Sequence, residues 1–348
     1  MRILIATVQV PFLRGGAEIL AEGLRDALRS AGHQAEIIAI PFKWFPAERI
    51  PDHMLACRLF DLTETKQGPV DRVIGLKFPA YLVQHPNKVL WLLHQHRTAY
   101  EFWDHPFADL INSPHGVRIR DAILEADQRF IPKSRAVYTI SGNVSQRLRG
   151  YCGIESTPLY HPPQHADRFF CAGDEDYFYF PSRLSPPKRQ DLVLQALART
   201  RRLVRVHFAG APDTPAYADE LRSLARKLKV QRRVEWLGPV TDDDKRRQYA
   251  HSRAVLFPPE DEDYGYVTLE AMLAAKPVLT CCDSGGPLEF VRDAETGRVV
   301  EPTPQALADA MDTLWEQRDT ARAWGEAGRI RYHKLAIAWP KVIERLLA

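Results

Sequence analysis

The chain has 348 residues, 45% of them hydrophobic and 26% charged, with a formal net charge of +3. This length predicts two domains, each with enough apolar material for its own core. The cation excess is confined to residues 1–170, with 20 Lys and Arg against 17 Asp and Glu. It is too small for the clustered basic stripes of a nucleic-acid footprint. In chain order, Arg2–Thr7 reads as a buried strand, Ala17–Ala31 as a helix stopped at Gly32, and Ala35–Ile40 as a second strand. Short apolar runs follow at Val70–Ile74, Lys88–Leu93 and Ala136–Ile140. The proline-rich stretch Pro158–Cys171 reads as a linker. Beyond it, strands are expected at Tyr177–Phe180, Val204–Ala209, Val234–Leu237, Ala254–Phe257 and Pro277–Thr280. Helical patterns alternate with them at about 189–199, 216–228, 241–250, 267–275 and 304–315. A last helix is expected within Ile337–Ala348. Such alternation predicts α/β domains with parallel sheets.

The five cysteines, Cys57, Cys152, Cys171, Cys281 and Cys282, show no CxxC or zinc-ligand spacing. That points to reduced thiols and a cytoplasmic location. The opening MRILIATVQV is read as a strand rather than a leader, and no stretch reaches the ~20 apolar residues of a membrane span.

The stretch from Pro258 to Met272 is the most informative. An apolar strand ends at Phe257, an acidic loop follows, and a helix starts after Gly265. Ligands of open α/β sheets bind beyond the carboxyl ends of strands. A helix N-terminus there, with the amides of Tyr264, Gly265, Tyr266 and Val267, suits a phosphate. Glu270 can accept hydrogen bonds from a ribose diol, and Glu262 can face a sugar. On spacing alone, a solvated loop acid and a generic first-turn acid fit these two glutamates equally well. Arg183 and Lys188 follow a strand end, where ordinary surface charge is the competing reading. His94 also follows a strand, with His96 the alternative and a structural histidine the bland one. Asp242-Asp243-Asp244, after Thr241, reads as a capped helix start rather than a metal site.

Glu262 and Glu270, with Tyr-Gly between them and Glu-Ala-Met at the end, resemble the signature of the retaining GT-B glycosyltransferases of family 4. Three further segments resemble that family: Thr280–Val291 with Thr296-Gly297, Pro181–Lys188, and Arg14-Gly15-Gly16-Ala17-Glu18. The resemblance covers most of residues 170–340 and is thin over 40–135. It implies a GT-B fold, two Rossmann-like domains with parallel sheets facing an interdomain cleft. The expected division is 1–165 for an acceptor-side domain, 166–335 for a donor domain, and 336–348 for a helix packing back on the first.

Carried over by residue, the resemblance implies that Arg183 and Lys188 neutralise a diphosphate and that Glu270 binds ribose. Glu262 and the amides around Tyr264–Tyr266 would hold the donor sugar. Gly15 and Gly16 would let the backbone approach phosphate, and His94 would lie near the sugar. The implied activity is retaining, metal-independent transfer from a UDP- or GDP-sugar to an acceptor hydroxyl, with no further cofactor. The setting is glycan, glycolipid or cell-surface polysaccharide synthesis. A nucleoside-diphosphate-sugar 2-epimerase and a non-catalytic sugar-nucleotide-binding protein are the alternatives. Arg118, Arg120, Arg129, Lys133 and Arg135 form a candidate surface for lipid or a lipid-linked acceptor, peripheral at the inner face of a membrane.

Overall fold

The computed structural model describes residues 1–12, 15–106 and 108–348. Arg14, in the first glycine-containing segment, lies outside the described residues. The chain forms two compact units, Met1–Gln164 with Ala338–Ala348, and His165–Ile337.

The N-terminal unit runs β1 (Arg2–Gln9), α1 (Gly16–Ser30), β2 (Gln34–Pro41), α2 (Ile50–Leu59), β3 (Glu64–Thr65), β4 (Gly68–Pro69), β5 (Arg72–Gly75), β6 (Lys88–Leu92), α3 (Gly116–Phe130), β7 (Ala136–Thr139), α4 (Gly142–Cys152) and β8 (Thr157–Pro158). Its main sheet is parallel, in the order β2-β1-β5-β6-β7-β8, with a separate β3-β4 pair. The central strands β5 and β6 are buried along their whole length. Both faces are covered, so beyond the leading Arg72 and Lys88 their residues form apolar runs rather than alternating ones. Helix α1 buries Leu20, Ala21, Leu24 and Leu28 on one face. The chain turns at Gly32, where φ is +86°.

The C-terminal unit runs β9 (Phe178–Pro181), α5 (Gln190–Leu197), β10 (Val206–Ala209), α6 (Pro215–Lys227), β11 (Val234–Gly238), α7 (Asp242–His251), β12 (Ala254–Leu256), α8 (Tyr266–Leu273), β13 (Val278–Cys281), β14 (Gly297–Val300), α9 (Pro304–Glu316) and α10 (Arg318–Lys334). Its six strands form a parallel sheet ordered β11-β10-β9-β12-β13-β14. The first strand, β9, therefore lies inside the sheet. Later strands add first on one side and then on the other, which leaves a topological switch point between β9 and β12.

Helices α2, α3, α4 and α10 and strand β14 were not anticipated from sequence. Helix α10 shows why: its buried residues are Ala321, Gly325, Gly328 and Tyr332. A face built of small residues carries little hydrophobic periodicity, although it packs closely. A Cβ on Gly325 would sit 2.0 Å from the carbonyl oxygen of Ala275, just past the end of α8.

The final helix, α11 (Trp339–Leu347), packs on the N-terminal unit. Trp339 stacks on His161 with ring centroids 6.1 Å apart and meets Trp91 edge-on at 6.3 Å. A Cβ on Gly23 of α1 would lie 2.8 Å from the Trp339 ring. Arg72 donates to the carbonyl oxygens of Leu346 (2.7 Å) and Ala348 (3.1 Å). A cation at a helix C-terminus satisfies carbonyls that have no intrahelical donor.

His96 belongs to the same unit's aromatic core, 5.1 Å from Phe78 and 6.4 Å from Phe42 between centroids. Burial pushes its pKa down to about 4, with His94 adding to the effect and Asp109 opposing it.

Two outcomes are expected. Gly325→Ala gains about 1 kcal/mol of helix propensity but must displace backbone, an overpacking cost of about 1–3 kcal/mol. Denaturant unfolding should give a lower midpoint, and a higher one would contradict this packing. His96 has a folded pKa below its unfolded value, so its contribution is full above about pH 6.5 and is lost as pH falls toward 4. His96→Phe should therefore flatten the decline of the melting temperature across that window, and an unchanged decline would contradict the assignment.

Candidate functional site

The switch point of the C-terminal unit gathers three loops, from the carboxyl ends of β9, β12 and β13. The β9 loop is held by Ser182 N donating to Ala209 O (2.9 Å) and Leu184 N donating to Ala211 O (3.0 Å). Gly210 permits this approach, since a Cβ there would lie 2.2 Å from Ser182 O. The β12 loop is laced to the other two. Glu260 N donates to Pro187 O (2.8 Å), Asp261 N to Asp283 O (2.9 Å) and Glu262 N to Ser284 O (3.0 Å). Gly286 N returns to Glu262 O at 2.8 Å. A side chain on Gly286 would meet the carbonyls of Tyr264 and Asp263 at 2.8 and 2.9 Å. Arg189, Asp261, Gly265 and Gly285 all have left-handed φ, at 59°, 44°, 82° and 69°. Such conformations persist where surrounding structure over-determines them, and they cluster at functional sites.

Side chains complete the lacing. Lys188 is paired with Glu262, and each is about one-fifth exposed. Arg189 makes a bidentate pair with Asp283 at 2.8 and 2.8 Å and lies 3.5 Å from Glu260. Burial opposes the Arg189 charge, but Asp283 and Glu260 more than offset it, so its pKa is raised. Arg183 is more open, paired with Asp213 at 2.7 Å and 57% exposed.

Helix α8 starts from Gly265. A Cβ at Gly265 would meet Pro287 at 3.0 Å and Phe257 at 3.1 Å, so only glycine suits both the space and the φ. Tyr264 is buried edge-on between Tyr266 (5.5 Å) and Phe290 (5.6 Å), and Val267 packs on the core below. Glu270 is only 7% exposed. Its carboxylate accepts from Lys245 Nζ (2.8 Å) and Tyr249 Oη (2.8 Å). Burial and the nearby Glu270 raise the pKa of Tyr179, Tyr249 and Tyr266, keeping these phenols neutral beside it.

The acidic triplet lies at the start of α7. Thr241 Oγ1 accepts from Asp244 N at 3.1 Å, Asp243 pairs with Arg246, and Asp244 pairs with Arg247 at 2.6 Å. From the same helix Lys245 reaches Glu270, a partner that sequence reading did not single out. Arg189, Asp283 and Tyr249 were missed likewise. Arg189 and Asp283 stand next to or within recognised segments, but spacing does not reveal that they pair.

In the N-terminal unit, Gly15 and Gly16 form the start of α1, where Gly15 N donates to Glu18 Oε2 at 2.7 Å. His94 lies just beyond β6, with Nδ1 2.5 Å from the carbonyl oxygen of Gln95. A carbonyl only accepts, so Nδ1 is the donor in this contact. Gln95 in turn donates to buried Asp127 at 3.0 Å. Asp127 also accepts from Tyr81 and Tyr100, both at 2.7 Å. Burial lifts the Asp127 pKa to about 6 against these hydrogen bonds.

The family model described as glycosyl transferases group 1 matches residues 165–331. Similar sequences include D-inositol 3-phosphate glycosyltransferase of Corynebacterium glutamicum, 32% identical over 42% of this chain and 37% of that protein. O-antigen chain mannosyltransferase C of Escherichia coli is 27% identical over 61% of this chain and 59% of that protein. The chain thus spans between 37% and 59% of the length of these two curated relatives. Among solved structures, sucrose-phosphate synthase from Thermosynechococcus elongatus superposes with a TM-score of 0.80 at 18% identity, covering 99% of this chain and 97% of that one. Anabaena HepE in complex with UDP and glucose gives 0.71 at 18% identity, with full coverage of both chains (100% and 100%). The family match is confined to residues 165–331, and the superposed structures share the GT-B fold of this chain.

Proposed function

We propose that the chain is a retaining, metal-independent glycosyltransferase. It would move a sugar from a UDP- or GDP-sugar to an acceptor hydroxyl, in the synthesis of a glycan, glycolipid or cell-surface polysaccharide. The observation that carries this reading is the convergence of Lys188, Glu262 and the start of α8 at the β9/β12 switch point. Cations and oriented amides at this place stabilise a departing diphosphate, whose charge grows as the glycosidic bond breaks.

In this proposal Arg183 and Lys188 bind the diphosphate and Glu270 binds the ribose. Lys245 and Tyr249 hold the Glu270 carboxylate in place. Glu262 and the amides of Tyr264, Gly265, Tyr266 and Val267 hold the sugar. Gly15, Gly16 and His94 are assigned to the same donor by the family resemblance. Retention follows from front-face substitution. The bond from C1 to the phosphate oxygen breaks, the bond from C1 to the acceptor oxygen forms on the same face, and the acceptor's proton passes to the departing phosphate oxygen. The 2-epimerase reading needs no acceptor, so acceptor-dependent release of free nucleoside diphosphate separates the two.

Arg183→Ala and Lys188→Ala are each expected to lower kcat about a hundredfold or more, the usual cost of about 3–4 kcal/mol for one electrostatic donor. A chelator should leave turnover nearly intact. A strict requirement for Mg²⁺ or Mn²⁺ with near-normal turnover in both variants would contradict the mechanism. Glu270→Gln keeps the side chain's shape but replaces one acceptor oxygen with a donor. It should weaken ribonucleotide binding by about 1–3 kcal/mol and reduce discrimination against the 2′-deoxy analogue. Wild-type discrimination in the variant would remove Glu270 from the ribose.

A further inference from the structure

The N-terminal unit has a cavity of about 510 Å³ between the end of α2, the loop before β6 and the end of α3. It lies at the amino end of β6, whereas His94 lies beyond the carboxyl end of that strand. Its walls include Arg58, Lys88, Phe130 and Lys133. Three cations converge on the single ring of Phe130. Arg58 Cζ is 3.8 Å from the ring centroid, Arg129 Cζ 5.4 Å and Lys133 Nζ 5.4 Å. A fourth, Lys88, is 5% exposed and donates to the carbonyls of Tyr81 and Val83 at 3.0 and 3.0 Å.

Among the described residues none of these four cations forms an ion pair. The one acid among the lining residues, Asp61, accepts from Thr63 N (2.9 Å) and Thr63 Oγ1 (2.6 Å). Cation–π attraction and the negative end of α3 each favour a cation here. Neither neutralises several like charges gathered around one cavity. Burial lowers the pKa of Lys88 to about 8, with Arg58 adding to the effect, and burial lowers that of Arg58, with Arg129 adding to it. Leu59 and Phe60, which line the cavity at the end of α2, are 74% and 42% exposed, and Leu55, four residues before Leu59 on the same helix, is 59% exposed.

We propose that this cavity binds a phosphate-bearing anion, either a free phosphate compound or the head group of an anionic lipid. Arg58, Lys88 and Lys133 in the lining, with Arg129 on the same Phe130 ring, supply positive charge, and exposed Leu59 and Phe60 supply apolar surface for an attached chain. The inference is independent of the donor-site reading, since no residue is shared with it.

The test uses the full chain and two probes. Calorimetric titration with pyrophosphate is run on an Arg183→Ala/Lys188→Ala background, so that the donor-side cations do not contribute. Flotation is run with phosphatidylcholine vesicles with and without phosphatidylglycerol. Each is repeated with Arg129→Glu/Lys133→Glu, and with Arg222→Glu/Arg226→Glu on α6 as a control of equal charge change. Both pairs are exposed, and retention of the circular dichroism spectrum and melting temperature checks the fold. Binding of at least one probe is expected, weakened about tenfold or more by the first pair and much less by the control. Pyrophosphate binding identifies a free phosphate compound, and vesicle binding alone identifies a lipid head group. Absence of binding to both probes overturns the proposal. So does binding that the first pair leaves intact or weakens no more than the control does.

Discussion

Everything at the candidate site depends on where β9 and β12 lie in the second sheet. Strand β9 is laid down inside it, β10 and β11 build outward on one side, and β12, β13 and β14 build on the other. The connections after β9 and β12 must leave in opposite directions, so a crevice opens between them at the carboxyl ends of the strands. Lys188 and Glu262, 74 residues apart in sequence, meet there. Parallel pairing, with its obligatory helical crossovers, thus delivers one cationic loop and one acidic loop to the same place.

The chemistry follows from how those charges are held. Arg189 and Asp283 pin the β9 loop to the β13 loop through two parallel hydrogen bonds, a geometry that fixes orientation as well as distance. Glu270 is nearly buried and stays matched to Lys245 and Tyr249. Removing one partner of such a pair leaves a desolvated charge, typically at a cost of about 3–5 kcal/mol. In the proposed function these pairs would act as a frame that keeps donors aimed before a ligand arrives, the arrangement in which electrostatic stabilisation is effective. Lys188 differs from Arg189 in this respect. Its contact with Glu262 is a single pairing, and a diphosphate would compete with that carboxylate for it.

The alternation of short apolar runs and amphipathic segments made the parallel α/β class legible, because fully buried strands leave uninterrupted hydrophobic runs. Phe178–Pro181 and Ala254–Leu256 are of this kind. Elements that bury small or mixed faces left no such trace. Helix α10 packs through glycines, and α3 buries Asp127 along with Ile119 and Ile123. Glycines with a spatial reason were readable only in part. Gly265 stood out between a strand and a helix, whereas Gly210 and Gly286 matter because of backbone brought close by the fold. Partnerships were the least legible feature. Nothing in local spacing ties Arg189 to Asp283, 94 residues on, or Lys245 to Glu270, 25 residues on.

The central claim is that the β9 and β12 loops, with the start of α8, bind the nucleoside diphosphate of a sugar donor. Amide hydrogen exchange, followed with and without saturating UDP and GDP, tests it most directly. With at least one of them, new protection is expected to concentrate in Ser182–Arg189 and Asp261–Glu270, while α6 is unaffected. Protection confined to other segments, or no change with either nucleotide, would contradict the account.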